Sequence, residues 1–231
     1  MHIIVPCYKP TRESLTRLYA SIRSQSRFDS FIHVIVDGEH DKDHYPVTTY
    51  SLFVNDGNCK VDLLGKRNYA LKNIIDHMPE KGLVGIIDGD DQLIDWQAIE
   101  MVEKEYEAGN KIIWTDHVWN KNGANQSGPY DRSISPYKHP WVTSHFRCFD
   151  AELFHLVNKK NFNDPEGNIF KRCYDQALML PMLHIANVKG LPIKYIPRIT
   201  YLYTGNFEIG GEGHKYQMEL AEFIRQRGYI D

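Results

Sequence analysis

Short apolar runs alternate along the chain with stretches of helical period. His2 to Val5 is apolar and stops at Pro6. Beyond it, Thr11 precedes Leu15, Leu18, Tyr19 and Ile22 at i, i+3, i+4 and i+7, which predicts a strand and then a helix capped by the threonine hydroxyl. Phe31 to Val36 runs into Asp37-Gly38, and Tyr50 to Val54 runs into Asn55-Asp56-Gly57, as buried strands that end in polar turns do. A helix from about Lys66 to Met78 puts Ala70, Leu71, Ile74, Ile75 and Met78 on one face. The run Leu83 to Ile87 follows, then a helix from Asp95 as N-cap to Gly109 as C-cap.

The second half is less regular. It predicts a strand at Lys111 to Trp114, a short helix at Asp150 to Val157, an apolar helix at Tyr174 to Ala186 interrupted by Pro181, and a strand at Lys194 to Tyr203. Residues 117–140 are rich in Asn, Gly, Ser and Pro and read either as a long surface loop or as a mobile flap. Glu212 to Arg227 closes the chain as a helix with Tyr216, Leu220, Phe223 and Ile224 on one face, expected to pack on the sheet. Strands alternating with helices predict an α/β, Rossmann-like fold with a mostly parallel central sheet flanked by helices. Ligands of such sheets sit beyond the carboxyl ends of the strands, so Pro6-Cys7-Tyr8, Asp37 and the Asp88–Asp91 segment are expected to converge on one crevice.

Length and composition narrow the classes. A chain of 231 residues is expected to form a single domain with one continuous core. Thirty acidic against 27 basic residues give a net charge of −3, which provides no general field for nucleic acid. Four widely spaced cysteines without a C-x-x-C pair argue against a zinc knuckle or a disulfide framework, and the histidines contain no H-E-x-x-H. There is no basic leader and no run of 18 apolar residues, so a cytoplasmic protein is expected, with peripheral membrane contact left open.

The strongest chemical signal is IIDGDD at 86–91, where a strand delivers three carboxylates within four residues. Anions packed this closely repel unless a cation or hydrogen-bond donors offset them, and oxygen ligands of this kind suit Mg²⁺ or Mn²⁺. A polar turn leading into the next helix is the competing explanation. Lys66-Arg67-Asn68, after Gly65 at a predicted helix start, sets two cations where backbone N–H groups are free for an anion.

Together IIVPCYKP, VIVDGEHD, GKRNYALKN and IIDGDDQLID resemble, in order and spacing, the nucleotide-sugar half of the family 2 glycosyltransferases, which have the GT-A fold. The resemblance implies a nucleotide-sugar-binding half at 1–110 and an acceptor-binding half at 111–231 with a C-terminal flap and helix. It places Pro6, Tyr8 and Asp37 on the base, Arg67 and Asn68 with neighbouring Lys66 against the nucleotide, and Asp88 near the ribose. Asp90 of the D-x-D motif would hold a metal on the diphosphate, with Asp91 beside it. The DGEHD segment departs from the commoner D-D-G-S form, which leaves the base preference open.

WVTSHFRCFDAELF at 141–154 and YDQALMLPMLHIA at 174–186 are similar to further segments of some members. The carboxylate opening the latter helix is the family's catalytic base, and Asp175 matches it, with Tyr174 in place of a frequent Glu. A helix cap explains the same residue type. His145 either orients an acceptor or a phosphate or is a satisfied, partly buried histidine, and Trp141 is either a stacking surface for a sugar or a core or interface residue. His214, after a glycine-rich stretch, is either a further metal ligand or an exposed residue of a connector; as a ligand it favours Mn²⁺ over Mg²⁺.

The implied activity is inverting transfer of a hexosyl or N-acetylhexosaminyl group from a nucleotide-diphosphate sugar, UDP-linked by expectation, to a saccharide or other hydroxyl acceptor. Two alternatives stand beside it. One is a sugar-phosphate nucleotidyltransferase, disfavoured because PCYKPTRES lacks a glycine-rich loop. The other is a non-catalytic nucleotide-sugar-binding subunit.

Overall fold

A computed structural model describes the chain except at residues 9, 28, 38–50, 56–69 and 206–209, and describes 36–37 and 51–55 by their backbone alone. The elements run β1 (His2–Tyr8), α1 (Arg12–Arg23), β2 (Phe31–Asp37), β3 (Ser51–Asn55), α2 (Ala70–Asp76), β4 (Leu83–Ile86) and β5 (Gln92–Leu93). They continue as α3 (Ala98–Glu107), β6 (Ile112–Trp119), β7 (Arg147–Asp150), α4 (Ala151–His155), α5 (Tyr174–Val188), β8 (Ile193–Tyr203) and α6 (Glu212–Arg227).

The strands form one sheet in the order β3-β2-β1-β4-β7-β6-β8-β5. The β1–β2, β1–β4, β2–β3 and β6–β8 pairs are parallel. Strand β7 is antiparallel to both β4 and β6, and β5 is antiparallel to β8. The sheet is thus α/β and mostly parallel, as the alternation of runs predicts, with β7 as an unpredicted reversal at its centre. That four-residue strand reads as the lead-in to a helix, because RCFD is too short to show a period.

Period-two alternation feeds two apolar layers. Ile3 and Val5 of β1, Leu83 of β4, Ile113 of β6 and Cys148 of β7 face α1 and α3, against Leu15, Leu18, Ile22, Ile99 and Val102. Ile4, Val84, Ile86, Trp114 and Phe149 face the other way, toward Leu71 and Ile74 of α2 and the nearly all-apolar α5. Helix α6 packs mainly on α5, through Ala221 and Ile224, so it covers the second layer and not the sheet itself as expected.

Two predicted boundaries move for physical reasons, and one predicted interruption is absent. Strand β1 continues through Pro6 to Tyr8, because its ladder to β4 is registered through Ile4↔Ile86 and no N–H is required of residue 6. Its carbonyl still accepts from Gly89 N–H at 3.2 Å. Helix α3 begins at Ala98, since the Asp95 carboxylate caps a preceding turn through Gln97 N–H (2.9 Å) and pairs with Arg198. Helix α5 runs unbroken across Pro181.

Thr11 caps α1 as predicted, accepting from Ser14 N–H at 3.1 Å. The first three residues of the 117–140 stretch belong to β6, and the rest is a largely exposed loop. It is pinned by Trp114 Nε1 donating to Gly128 O (2.9 Å) and by Arg225 donating to His139 O (2.7 Å).

Candidate active site

A cleft of about 520 Å³ opens at the carboxyl ends of β1 and β4. One wall carries Pro6, Cys7 and Tyr8 from β1, residues of the α1 N-terminus, and Asp88-Gly89-Asp90. The facing wall carries His145, Arg147, Cys173, Tyr174 and Asp175, and Tyr203 to Gly205 follow from the end of β8. Both halves of the sequence therefore meet across the one cleft.

The loop after β4 is held from three directions. Gly89 lies so close to β1 that a Cβ there would sit 2.3 Å from Cys7 Sγ. Asp88 N–H donates to the Tyr201 hydroxyl (3.1 Å), and that hydroxyl donates to Asp91 Oδ2 (2.7 Å). Thr204 N–H donates to the other Asp91 oxygen, Oδ1, at 2.7 Å. Asp91, 1% exposed, thus ties β8 to this loop beneath the cleft, while Asp90 is exposed on the cleft wall.

The opposite wall centres on a residue that sequence reasoning missed. Arg147 shares the face of β7 that carries Phe149, toward α5, and is 1% exposed. Its Nη2 donates to the Tyr174 hydroxyl (2.7 Å), which donates in turn to Asp88 Oδ1 (2.5 Å). The guanidinium lies 3.7 Å from Asp88 and 4.0 Å from Asp175, and over the Tyr174 ring. Tyr174 thus forms a neutral bridge between Arg147 and Asp88. The available signal was a lone arginine inside the apolar run HFRCF.

Asp175 is the second residue of α5, not its cap. The cap position belongs to Cys173, in the left-handed region (φ 53°) with no side-chain capping bond, and its thiol donates to Gln217 O at 2.9 Å. The capping explanation of Asp175 therefore fails; its carboxylate is on the cleft wall, partly exposed.

Burial pushes the Asp88 carboxyl up to about 6, against the pull of Arg147 and of the Tyr174 hydrogen bond, with Asp90 and Asp175 adding to the rise. Burial and the neighbouring carboxylates hold Asp91 well above the usual range. Burial also lowers His145 well below its ordinary value, with Arg147 and His117 adding to the effect, so its imidazole is neutral at pH 7. That ring stacks on both Tyr201 (4.7 Å) and Tyr203 (4.9 Å).

Ligand atoms of Asp88, Asp91 and His145 all lie within 4.8 Å of one another. A neutral imidazole whose buried Nδ1 has no hydrogen-bond partner, beside two carboxylates that resist ionisation, fits a divalent cation. Asp90 and His214 are not part of this cluster.

Of the other predicted residues, Pro6, Tyr8, Asp88, Asp90, His145 and Asp175 line the cleft. Asp37 ends β2 in register with Tyr8. Lys66, Arg67 and Asn68 lie outside the described residues; Ala70, just beyond them, lines the cleft. Trp141 packs against the α5-side core and is not among the lining residues. His214 is in the first turn of α6, where its Nδ1 accepts from Gly210 N–H at 3.3 Å.

No family model matches the chain, and no curated protein matches it in sequence. Solved structures do match in fold. S. aureus TarS 1-349 in complex with UDP-GlcNAc is 16% identical, with a TM-score of 0.59, over 100% of this chain and 68% of that one. The same fragment in complex with UDP is 14% identical, with a TM-score of 0.55, over 100% and 67%. A longer S. aureus TarS structure is 19% identical, with a TM-score of 0.55, over 95% of this chain and 38% of that one. At these identities the likeness concerns the fold, which is the GT-A fold of glycosyltransferases.

Proposed function

We propose that this chain is an inverting glycosyltransferase of the family 2 type, moving a sugar from a nucleotide diphosphate, UDP first among candidates, to an acceptor hydroxyl. The observation that carries this reading is the meeting of Asp88 and Asp90 from the end of β4 with Asp175 from the start of α5 across one cleft. UDP and UDP-GlcNAc are what the TarS structures of the same fold hold.

In this reading Pro6, Tyr8 and Asp37 bind the base, Asp88 the ribose, and Lys66, Arg67 and Asn68 the nucleotide. Asp175 accepts the acceptor's proton as its oxygen attacks the anomeric carbon. The bond from that carbon to the diphosphate oxygen breaks, and the nucleotide leaves with the electron pair from the opposite face, inverting the centre. A bound divalent cation supplies positive charge to the diphosphate. Asp88, Asp91 and His145, or Asp90 with His214, are its candidate ligands, and an imidazole among them favours Mn²⁺. The acceptor is a saccharide or another hydroxyl compound bound by the 111–231 half. Among the described residues no helix is long and apolar enough to cross a membrane, and we assign the protein to the cytoplasm.

The test is release of the nucleotide from a panel of UDP-, GDP- and dTDP-sugars with Mn²⁺, Mg²⁺ or chelator, with the product's anomeric configuration read by proton NMR. Metal-dependent release from one donor with inversion supports the proposal; retention of configuration excludes the single displacement.

A pH dependence follows from Asp88. Because its carboxyl titrates at about 6 in the folded chain, a proton competes with a cation there, and metal-supported nucleotide binding weakens up to ~10-fold per pH unit below that value. Calorimetric titrations at about pH 5 and about pH 8 check it; equal affinities contradict it. The sign for stability is opposite. The contribution of Asp88 is full below its ordinary value of 3.8 and is lost as pH rises to about 6.

A further inference from the structure

We propose that Arg147 is the positioning residue of this site, a buried guanidinium that fixes the carboxylate ending β4 and the carboxylate opening α5 on facing walls of the cleft. Its effect on turnover rests on the glycosyl-transfer reading; its effect on the two carboxylates does not.

Strand β7 lies between β4 and β6 in the middle of the sheet, a place where a cation is shielded from water and must be offset by nearby anions. Among the described residues those anions are Asp88 at 3.7 Å and Asp175 at 4.0 Å. Arg147 Nε and Nη1 are closed off from solvent and make no hydrogen bond, and the guanidinium faces both carboxylates at ion-pair distance.

Orientation comes through Tyr174, which accepts from Nη2 and donates to Asp88 Oδ1, with the guanidinium plane over its ring. The reversal of β7 gives the arrangement its reach. Antiparallel pairing sets Arg147 directly beside Ile86, two residues before Asp88, and on the face toward α5. One side chain therefore sets the spacing between the donor-side acid and the acceptor-side acid. Without it two carboxylates would face each other across a partly closed cleft with their repulsion unopposed. A lysine restores the charge but not the fork that meets Tyr174 and both acids.

The test uses Arg147→Met, Arg147→Lys, Tyr174→Phe, Asp88→Asn, Asp175→Asn and the double variants Arg147→Met/Asp88→Asn and Arg147→Met/Asp175→Asn, read by urea unfolding, UDP affinity and steady-state kinetics. Arg147→Met is expected to lower kcat by ~100-fold and UDP affinity by ~10-fold, with Arg147→Lys regaining ~10-fold in kcat. In an Asp88→Asn background Arg147→Met should leave UDP affinity unchanged to within about twofold, because its effect passes through Asp88. Should the methionine variant not fold, Arg147→Lys and Tyr174→Phe carry the same comparison, with Tyr174→Phe expected to weaken UDP binding more than it lowers kcat.

In urea, the losses from Arg147→Met and from neutralising either acid should be strongly non-additive. Additive losses overturn the proposal whether or not any donor binds. A folded Arg147→Met variant with wild-type kcat and UDP affinity overturns it as well. Non-additive unfolding in a protein that binds and turns over no nucleotide sugar supports the proposal and rejects the transferase reading alone.

Discussion

Replacing Asp175 by asparagine is expected to lower the transfer rate by ~1,000-fold or more while nucleotide affinity stays within about threefold. The substitution keeps the volume and the polar contacts of the side chain and removes its capacity to take a proton. The carboxylate lies in the first turn of α5 and 4.0 Å from Arg147, so it is held in place without serving as the helix cap. Asp88 still faces Arg147 at 3.7 Å, so the guanidinium keeps one anionic partner. Turnover of a matched donor and acceptor, with UDP affinity on the same preparation, separates the two effects. An asparagine variant that transfers at the wild-type rate would remove Asp175 from the chemistry.

Gly89→Ala is expected to have the next largest effect, a loss of ~2–4 kcal/mol of stability together with weakened nucleotide binding. The added methyl would meet Cys7 Sγ at 2.3 Å, Cys7 Cβ at 3.1 Å and Cys7 Cα at 3.3 Å. Sγ ends a short, buried side chain with one rotor, and Cβ and Cα are fixed to β1, so β1 and the Asp88–Asp91 loop must separate. Separation breaks the bond from Gly89 N–H to Pro6 O and carries Asp88 and Asp90 away from the opposite wall. Cys7→Ala removes the nearest atom and leaves the other two contacts, so it should return about half of the loss, since the remaining approaches are tight and still require small shifts of β1. Urea unfolding of the single and double variants checks this. A Gly89→Ala variant as stable as wild type, with unchanged UDP affinity, would show that the loop has slack.

The fold is legible in the sequence where periodicity is long and turn chemistry is plain. Thr11 with Leu15, Leu18, Tyr19 and Ile22 specified α1 and its cap, and the runs ending in polar residues located β1, β2 and β4, hence the edge on which Pro6, Tyr8, Asp88 and Asp90 meet. A residue's role is hidden where it depends on partners distant in sequence. Arg147 is a lone charge in an apolar run, and nothing local reveals that β7 reverses beside β4 and turns it toward Tyr174 and Asp175. Tyr201 is similar. It reads as an ordinary strand residue, yet its buried hydroxyl joins the Asp88 backbone to the Asp91 carboxylate from more than 100 residues away. The acidic triplet itself was legible as a cluster, but not its division of labour. The strand-to-loop geometry sends Asp90 outward to the cleft and Asp91 inward to Tyr201 and Thr204.

The central claim is that this cleft binds a nucleotide diphosphate with a cation, and titration calorimetry of UDP tests it most directly, with Mn²⁺, with chelator, and with the Asp90→Ala variant. Asp90 is exposed on the cleft wall, so its removal perturbs the site and not the core. The account predicts saturable binding with Mn²⁺ that disappears in chelator and falls at least ~10-fold in Asp90→Ala. No binding of UDP or of any other nucleotide diphosphate in the presence of Mn²⁺ would contradict it.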